Sequence, residues 1–335
     1  MDLSAKYLGL KLKSPIVPAA CPLGADLDAL KKMEEAGAGA VVLPSLFEEQ
    51  MLSEEQTLVH YLTHSKEQTS EALSYLPEPD EFHIGAPDYA DHVRKAKKAL
   101  SVPVIASLNA ATPGGWVRYA REIEQAGADA LELNLYHLVS DPTVPGSQVE
   151  ASDIRIVREA CARVKIPVAV KVSPFYSAIA NVAAQFVEAG ARGLVLFNRF
   201  HQPDINLDKI EARPAVNLST SADLSLPLRW TAILHGRVKA SLAVSSGVHT
   251  HEDALKAVLV GADAVCVCSE LLTSGIGAVS RILKGMRSWM ERNEYSSIEQ
   301  MKGSLSHRNC PDPEAFERAH YVKALSGYHL PAKAR

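Results

Sequence analysis

Four segments of the chain carry one pattern: AGAGAVVL from Ala36, AGADALEL from Ala126, AGARGLVL from Ala189 and VGADAVCV from Val260. Each follows a helix-like stretch and opens a short apolar run. Glycine tolerates the left-handed backbone that ends a helix, and a β-branched run suits a parallel strand covered on both faces. The pattern therefore predicts helices that stop on glycine and feed buried parallel strands. Further apolar runs keep the rhythm at Ile16–Ala20, Val104–Leu108, Val168–Val172 and Leu242–Ser245. Helix-like segments alternate with them at Asp28–Ala36, Trp116–Ala126, Ala151–Val164, Ala178–Ala189 and His251–Val260. Eight such strands, with no change of composition that would mark a second domain, predict an α/β fold, a (β/α)8 TIM barrel, over a doubly wound sheet.

Two intervals are too long for simple crossovers, Pro44–Pro103 and Asn198–Lys239, so the barrel is expected to carry long βα-loop insertions. The first holds His60, Tyr61, His64, Tyr75 and His83, rings that suit either a pocket lining or an exposed helical insertion. The barrel is expected over residues 1–303, with 304–335 as a C-terminal extension packed on it or partly irregular. The formal charge of -4 excludes a general cationic field for nucleic acid or an anionic membrane. No run approaches the roughly 20 apolar residues that span a bilayer, and the start lacks a secretory core, so a cytoplasmic protein is expected. Cys21, Cys161, Cys266, Cys268 and Cys310 lack the spacing of a zinc knuckle or iron–sulfur loop; they read as reduced thiols, and no metal site is expected.

The stretch LELNLYHLVSDPTVPG, Leu131 to Gly146, begins as a buried strand and runs out into Asn134, Tyr136 and His137. The carboxyl ends of barrel strands are where chemistry sits, so this loop is a candidate site.

YLGLKLKSPIVPAA, LELNL, VAVKVSP, LSLPLRWTAIL and SSGVHTHEDALKAVLVGADAVCVCSELL, taken in order from Leu3 to Gly303, resemble the dihydroorotate dehydrogenases and their flavin-containing relatives. The resemblance implies a flavin mononucleotide (FMN) across the barrel mouth, with its phosphate held by backbone N–H groups after the last two strands, at Ser246–Gly247 and Cys268–Ser269. Loops at that end of a barrel are suited to phosphate. It also implies that Ala19, Ala20, Ser45, Asn109 and Asn134 line the cofactor site, and that Asn134 and Asn198 contact flavin or substrate. An amide offers donors and an acceptor together and can orient a planar heterocycle. Lys171 matches the family lysine that contacts the flavin, where a cation stabilises negative charge on the reduced ring. A homodimer, a small planar or cyclic substrate and a separate electron-transfer partner follow from the same resemblance.

The sequence departs from the family where chemistry is expected. His137 stands where the family base is cysteine or serine, and histidine is a good base near neutral pH. Tyr136 is a secondary candidate. The strand-two lysine is replaced by Pro44, which can supply neither charge nor N–H, leaving the neighbouring Ser45. The substrate-clamping loop has no counterpart in Phe47–Ala90, and a glycine of each phosphate turn is lost, to Ser246 and to Cys268. The leading reading is an FMN-dependent oxidoreductase with a rebuilt substrate pocket. The rivals are a non-catalytic flavin- or phosphate-binding barrel and a flavin-free aldolase-like barrel using Lys171 as a Schiff base.

Overall fold

The computed structural model of the chain describes residues 1–47, 86–110, 117–135, 138–199, 203–213, 216–317 and 319–327. Tyr136 and His137 lie outside the described residues, as do His60, Tyr61, His64, Tyr75, His83 and most of the Phe47–Ala90 segment.

The repeated glycines act as the sequence predicts. Gly37, Gly127, Gly190 and Gly261 have φ of 105°, 95°, 116° and 114°, and each closes a helix: α1 (Leu27–Glu35), α3 (Val117–Gln125), α5 (Ile179–Glu188) and α7 (His251–Leu259). At Gly37 the N–H donates to Glu34 O at 3.0 Å and the next, Ala38 N–H, to Met33 O at 3.1 Å, a Schellman closure repeated at the other three. One residue further on, an N–H reaches the strand before the helix: Gly39 to Ile16 O, Asp129 to Val104 O, Arg192 to Val168 O and Asp263 to Leu242 O, at 2.7–2.9 Å. The motif thus ends a helix and sets the register of the next parallel strand in four residues. Asp129 and Asp263 reinforce it by accepting the N–H of Val104 and Leu242 at 2.7 and 2.8 Å.

Eight parallel strands result: β3 (Ile16–Pro18), β4 (Val41–Phe47), β5 (Val104–Ala110), β6 (Ala130–Leu135), β7 (Val168–Val172), β8 (Gly193–Leu196), β11 (Ser241–Val244) and β12 (Ala264–Val267). They pair in the order β3-β12-β11-β8-β7-β6-β5-β4, and Gly39 N–H to Ile16 O brings β3 and β4 together to close the ring. This is the (β/α)8 TIM barrel expected. Boundaries differ little from the sequence reading, except that the helix read from Ala151 begins at Gly146 and runs to Arg163 (α4). The Pro145 carbonyl accepts the first helical N–H groups, from Gln148 and Val149, at that earlier start.

Two hairpins were not foreseen. β1 (Ala5–Tyr7) and β2 (Leu10–Leu12) cover the amino end of the barrel. Small inward residues, Ala40, Ala130, Ala169, Ala243 and Ala264, leave room there for Tyr7, Leu8 and Leu12. β9 (Asp204–Asn206) and β10 (Glu211–Arg213) lie within the Asn198–Lys239 insertion, whose end is the barrel helix α6 (Ser225–Leu234). The Pro44–Pro103 insertion ends in α2 (Ala86–Ala99). Beyond α8 (Ser269–Ser274) and α9 (Ala278–Arg292), the chain runs back under the helices, with Leu305 N–H on Leu259 O and His307 N–H on Ala232 O, at 2.8 and 3.0 Å. Among the described residues no helix is long and apolar enough to cross a membrane.

Candidate active site

Alternation along the strands decides which groups reach the barrel interior. On β6 the inward residues are Ala130, Glu132 and Asn134, and their parallel neighbours on β7 bring Ala169 beside Glu132 and Lys171 beside Asn134. The same row continues to Asn109 on β5. Asn109, Asn134 and Lys171 are all buried, 5–7% exposed, at the carboxyl ends of three adjacent strands.

Lys171 is neither solvated nor alone. Its Nζ lies 3.4 Å from Glu132 Oε1, and both side chains are buried. Burial, the largest single influence, would lower the lysine pKa, but the charge and hydrogen bond of the Glu132 carboxylate, together with the nearby Cys266 and Cys268 sulfurs, hold the ammonium above its ordinary value. A nucleophilic amine must be neutral, so this pairing removes the support for a Schiff base at Lys171. Glu132 was present in the quoted LELNL motif but not singled out; a carboxylate at an inward position of an otherwise apolar strand was the available signal.

Ser45 and Asn134 are tied together on the far side of the mouth. Asn134 Nδ2 donates to Ser45 Oγ at 3.1 Å, and Ser45 Oγ shares a 2.8 Å hydrogen bond with the buried Ser107 Oγ. Asn134 Oδ1 is buried with no hydrogen-bond partner among the described residues, an acceptor at the mouth. Pro44 is half-buried on β4 and packs toward Gly24.

The remaining sequence candidates converge on a cavity of about 160 Å³. Ala19, Ala20, Lys171 and Asn198 line one part of it, and Ser246, Gly247, Cys268 and Ser269 the other. Ser246 and Gly247 both have left-handed backbones, φ 78° and 80°. Gly247 is required by its own chain: a Cβ there would stand 2.3 Å from Leu224 N.

Ser219, which the sequence reading missed, sits on the donors assigned to phosphate. Its Oγ accepts from Gly247 N–H at 3.3 Å and donates to Ser269 Oγ at 2.9 Å, while its own N–H donates to Ser269 Oγ at 3.0 Å. His249 Nε2 lies 3.2 Å from the same hydroxyl, and its Nδ1 donates to Glu270 Oε2 at 3.0 Å. Burial opposes ionisation of Glu270, but His249, Ser274 and Arg281 together keep its pKa below the ordinary value. Arg199 also went unnoticed; its guanidinium donates to Asn217 O at 2.6 Å and pairs with Asp223 at 3.4 Å, holding the Ser219 segment over the cavity. Loop contacts of this kind leave no periodic trace in sequence.

A larger depression of about 950 Å³ lies at the opposite, amino end, lined by residues such as Lys6, Lys165, Arg192 and Lys239. Barrel chemistry sits at the carboxyl ends of the strands, and the sequence candidates gather at the smaller cavity there, which makes it the candidate site.

The chain matches the family model described as dihydroorotate dehydrogenase over residues 83–290. It is 28% identical over 330 residues to a putative dihydroorotate dehydrogenase A (fumarate) of Aeropyrum pernix, covering 92% of this chain and 98% of that one. It is 28% identical over 314 residues to the dihydroorotate dehydrogenase B (NAD(+)) catalytic subunit of Thermoplasma acidophilum, covering 90% and 98%. With the chloroplastic dihydropyrimidine dehydrogenase (NADP(+)) of Arabidopsis thaliana it shares 24% identity over 334 residues, covering 90% and 76%. The family match spans more than half the chain and falls on the barrel just described: the chain belongs to the dihydroorotate dehydrogenase family.

Proposed function

We propose that the protein is an FMN-dependent oxidoreductase acting on a small planar or cyclic substrate, with a substrate pocket that differs from that of its named relatives. The observation that carries this reading is Asn134 Oδ1, a buried acceptor without a partner among the described residues, held beside a charged lysine at the barrel mouth. A buried unpaired acceptor is unfavourable unless a ligand uses it, and the N–H edge of a planar heterocycle fits it. The residues therefore fit the cofactor, although a 160 Å³ cavity is below the roughly 300–1,000 Å³ of complete small-molecule sites. It would hold the phosphate end, and Asn134 and Ser45 would be left to meet the ring system.

When bound, FMN would accept a hydride from the substrate. The chain's residues do the rest. Gly247 N–H and the hydroxyls of Ser246 and Ser269 hold the phosphate, with Ser219 yielding its contacts. Lys171, kept protonated by Glu132, supplies positive charge beside the ring. Asn134 and Asn198 orient ring and substrate by their amides, with Asn109, Ala19, Ala20 and Cys268 completing the lining. His137 takes the substrate proton, with Tyr136 beside it in sequence. Two relatives are named dihydroorotate dehydrogenase B catalytic subunits, which supports a separate electron-transfer partner here; a homodimer and a cytoplasmic setting complete the reading.

Titration of the protein with FMN, followed by flavin fluorescence, tests binding; anaerobic addition of cyclic dihydro compounds, including dihydroorotate, tests reduction. Binding with bleaching by a cyclic substrate other than dihydroorotate is expected. Bleaching by dihydroorotate at the rate of a dedicated enzyme contradicts a rebuilt pocket.

One observation favours a second reading, a flavin- or phosphate-binding barrel without turnover. The Ser219 hydroxyl already satisfies Gly247 N–H and Ser269. Bound flavin that no substrate reduces and no acceptor reoxidises is the outcome expected of that protein.

A further inference from the structure

The amino end of the barrel, which the proposed chemistry does not use, holds the depression of about 950 Å³. That volume is within the roughly 300–1,000 Å³ of small-molecule sites. Five cations line it: Lys6 on β1, Arg158 on α4, and Lys165, Arg192 and Lys239 in the connections that lead into β7, β8 and β11. All five are exposed, and none makes an ion pair or a side-chain hydrogen bond among the described residues. The one carboxylate among the described lining residues, Asp263, is already engaged: it pairs with Lys302 at 3.1 Å and accepts the Leu242 N–H at 2.8 Å. Glu124, close to Lys165, is taken up by the N–H groups of Lys165 and Ile166 at 2.5 and 3.1 Å. A chain with a formal charge of -4 therefore gathers five uncompensated positive charges around one concave surface. Like charges gathered in a cleft focus the field there and draw in a ligand of opposite sign.

The fold sets the spacing of these charges. β7, β8 and β11 are neighbours in the sheet, and Gly193 of β8 stands level with Ala169 on one side and Ser241 on the other. Neighbouring strands lie about 4.8 Å apart, so the three entrances form a row about 10 Å long, with one cation before each. The hairpin β1–β2 adds Lys6 and is tied to this row by the Leu8 N–H, which donates to Ser241 Oγ at 3.1 Å. Cations after a helix end can serve its exposed carbonyls. Here α5 closes on backbone N–H groups instead, Gly190 to Val187 O and Ala191 to Phe186 O, both at 3.0 Å, which leaves Arg192 for another anion. Val164, Ile166 and Pro167 give the same lining an apolar part.

We propose that this depression binds a polyphosphate chain, inorganic or carried by a nucleoside. Lys165, Arg192 and Lys239 meet successive phosphates along the row, and Lys6 and Arg158 add charge from the hairpin and from α4. The guanidinium forks suit paired phosphate oxygens, and the ammonium groups act as point charges. A nucleoside on the chain packs against Val164, Ile166 and Pro167. The site lies at the end of the barrel opposite the cavity assigned to FMN, so the inference does not require the flavin reading, and its ligand does not compete with flavin.

Equilibrium dialysis and calorimetric titration of the intact chain in magnesium-free buffer, with sodium tripolyphosphate, ATP and adenosine as separate probes, test this. Tripolyphosphate and ATP are expected to bind, more weakly as salt rises from about 50 mM to about 300 mM, and adenosine is expected not to. Tighter binding of ATP than of tripolyphosphate identifies a nucleoside-borne chain, and the reverse order an inorganic one. Arg192→Gln with Lys239→Gln is expected to weaken binding about tenfold or more, as for loss of hydrogen bonds to a charged group. Lys6→Gln with Lys165→Gln is expected to act in the same direction. All four side chains are exposed, and an unchanged unfolding midpoint shows that each variant keeps the fold. A wild type that binds neither tripolyphosphate nor ATP overturns the proposal. Binding that neither pair of substitutions weakens also overturns it, because the anion then sits elsewhere on the protein.

Discussion

Replacing Glu132 by Gln keeps the shape of a buried side chain and removes only its charge. The Lys171 ammonium, 3.4 Å away and buried, then loses its counter-charge. At an effective dielectric constant of about 20 the lost attraction, 332/(20 × 3.4), is about 5 kcal/mol, and breaking one side of a buried ion pair typically destabilises by about 3–5 kcal/mol. We expect Glu132→Gln to lower the unfolding free energy by that amount at pH 7, measured by urea denaturation. The deficit should shrink as pH rises. Without Glu132, burial depresses the folded pKa of Lys171 below its unfolded value near 10.4, so the unfolded state binds more protons over that interval and the variant gains stability with pH. The wild type runs the other way: its Lys171 pKa is raised, and that contribution is present below the unfolded pKa and lost as pH climbs through the folded one. Removing both charges, as Glu132→Gln with Lys171→Met, should restore much of the loss. A single variant weakened by less than about 1 kcal/mol, or a double variant no more stable than the single, would refute the ion-pair account.

Gly247→Ala places a Cβ 2.3 Å from Leu224 N at a left-handed φ of 80°, so a loss of about 2 kcal/mol or more in denaturant unfolding is expected; a neutral effect would deny the tight packing. Ser219→Ala frees Gly247 N–H and removes one of the two hydrogen bonds that Ser269 Oγ accepts, and FMN affinity should rise about threefold to tenfold by fluorescence titration, the value of one hydrogen bond. Weaker binding would mean that Ser219 contributes to the phosphate site instead of competing for it. His137→Ala should slow flavin reduction by substrate about 100-fold or more without releasing FMN, as for loss of a general base. An unchanged rate would remove His137 from the site.

The barrel was legible because its information is local. A glycine that must be left-handed, two helix-closing N–H groups and an N–H aimed at the previous strand all lie within each repeat, so Gly37, Gly127, Gly190 and Gly261 disclosed four helix ends and four strand starts. The site was half legible for the same reason. Asn109, Asn134 and Lys171 end apolar strands, where polar residues stand out against the pattern. Glu132 escaped notice because its partner is 39 residues away on the next strand, and only register brings them together. Ser219 and Arg199 belong to an irregular connection whose course is set by capping at Thr220, by Ser221 on Asp253 and by Arg199 on Asn217. Those contacts span the sequence and have no period. The covering hairpin β1–β2 was missed because three-residue strands carry too little alternation to be distinguished from a loop.

The central claim is that the cavity at the carboxyl end of the barrel holds FMN. Heat-denaturing the protein after purification or reconstitution with FMN, and measuring the mass and amount of the released molecule, tests it most directly. The account predicts FMN at close to one molecule per chain, with occupancy falling when Lys171 is replaced by Ala in a chain that remains folded. A colourless protein that releases no flavin and takes up none on addition would contradict it.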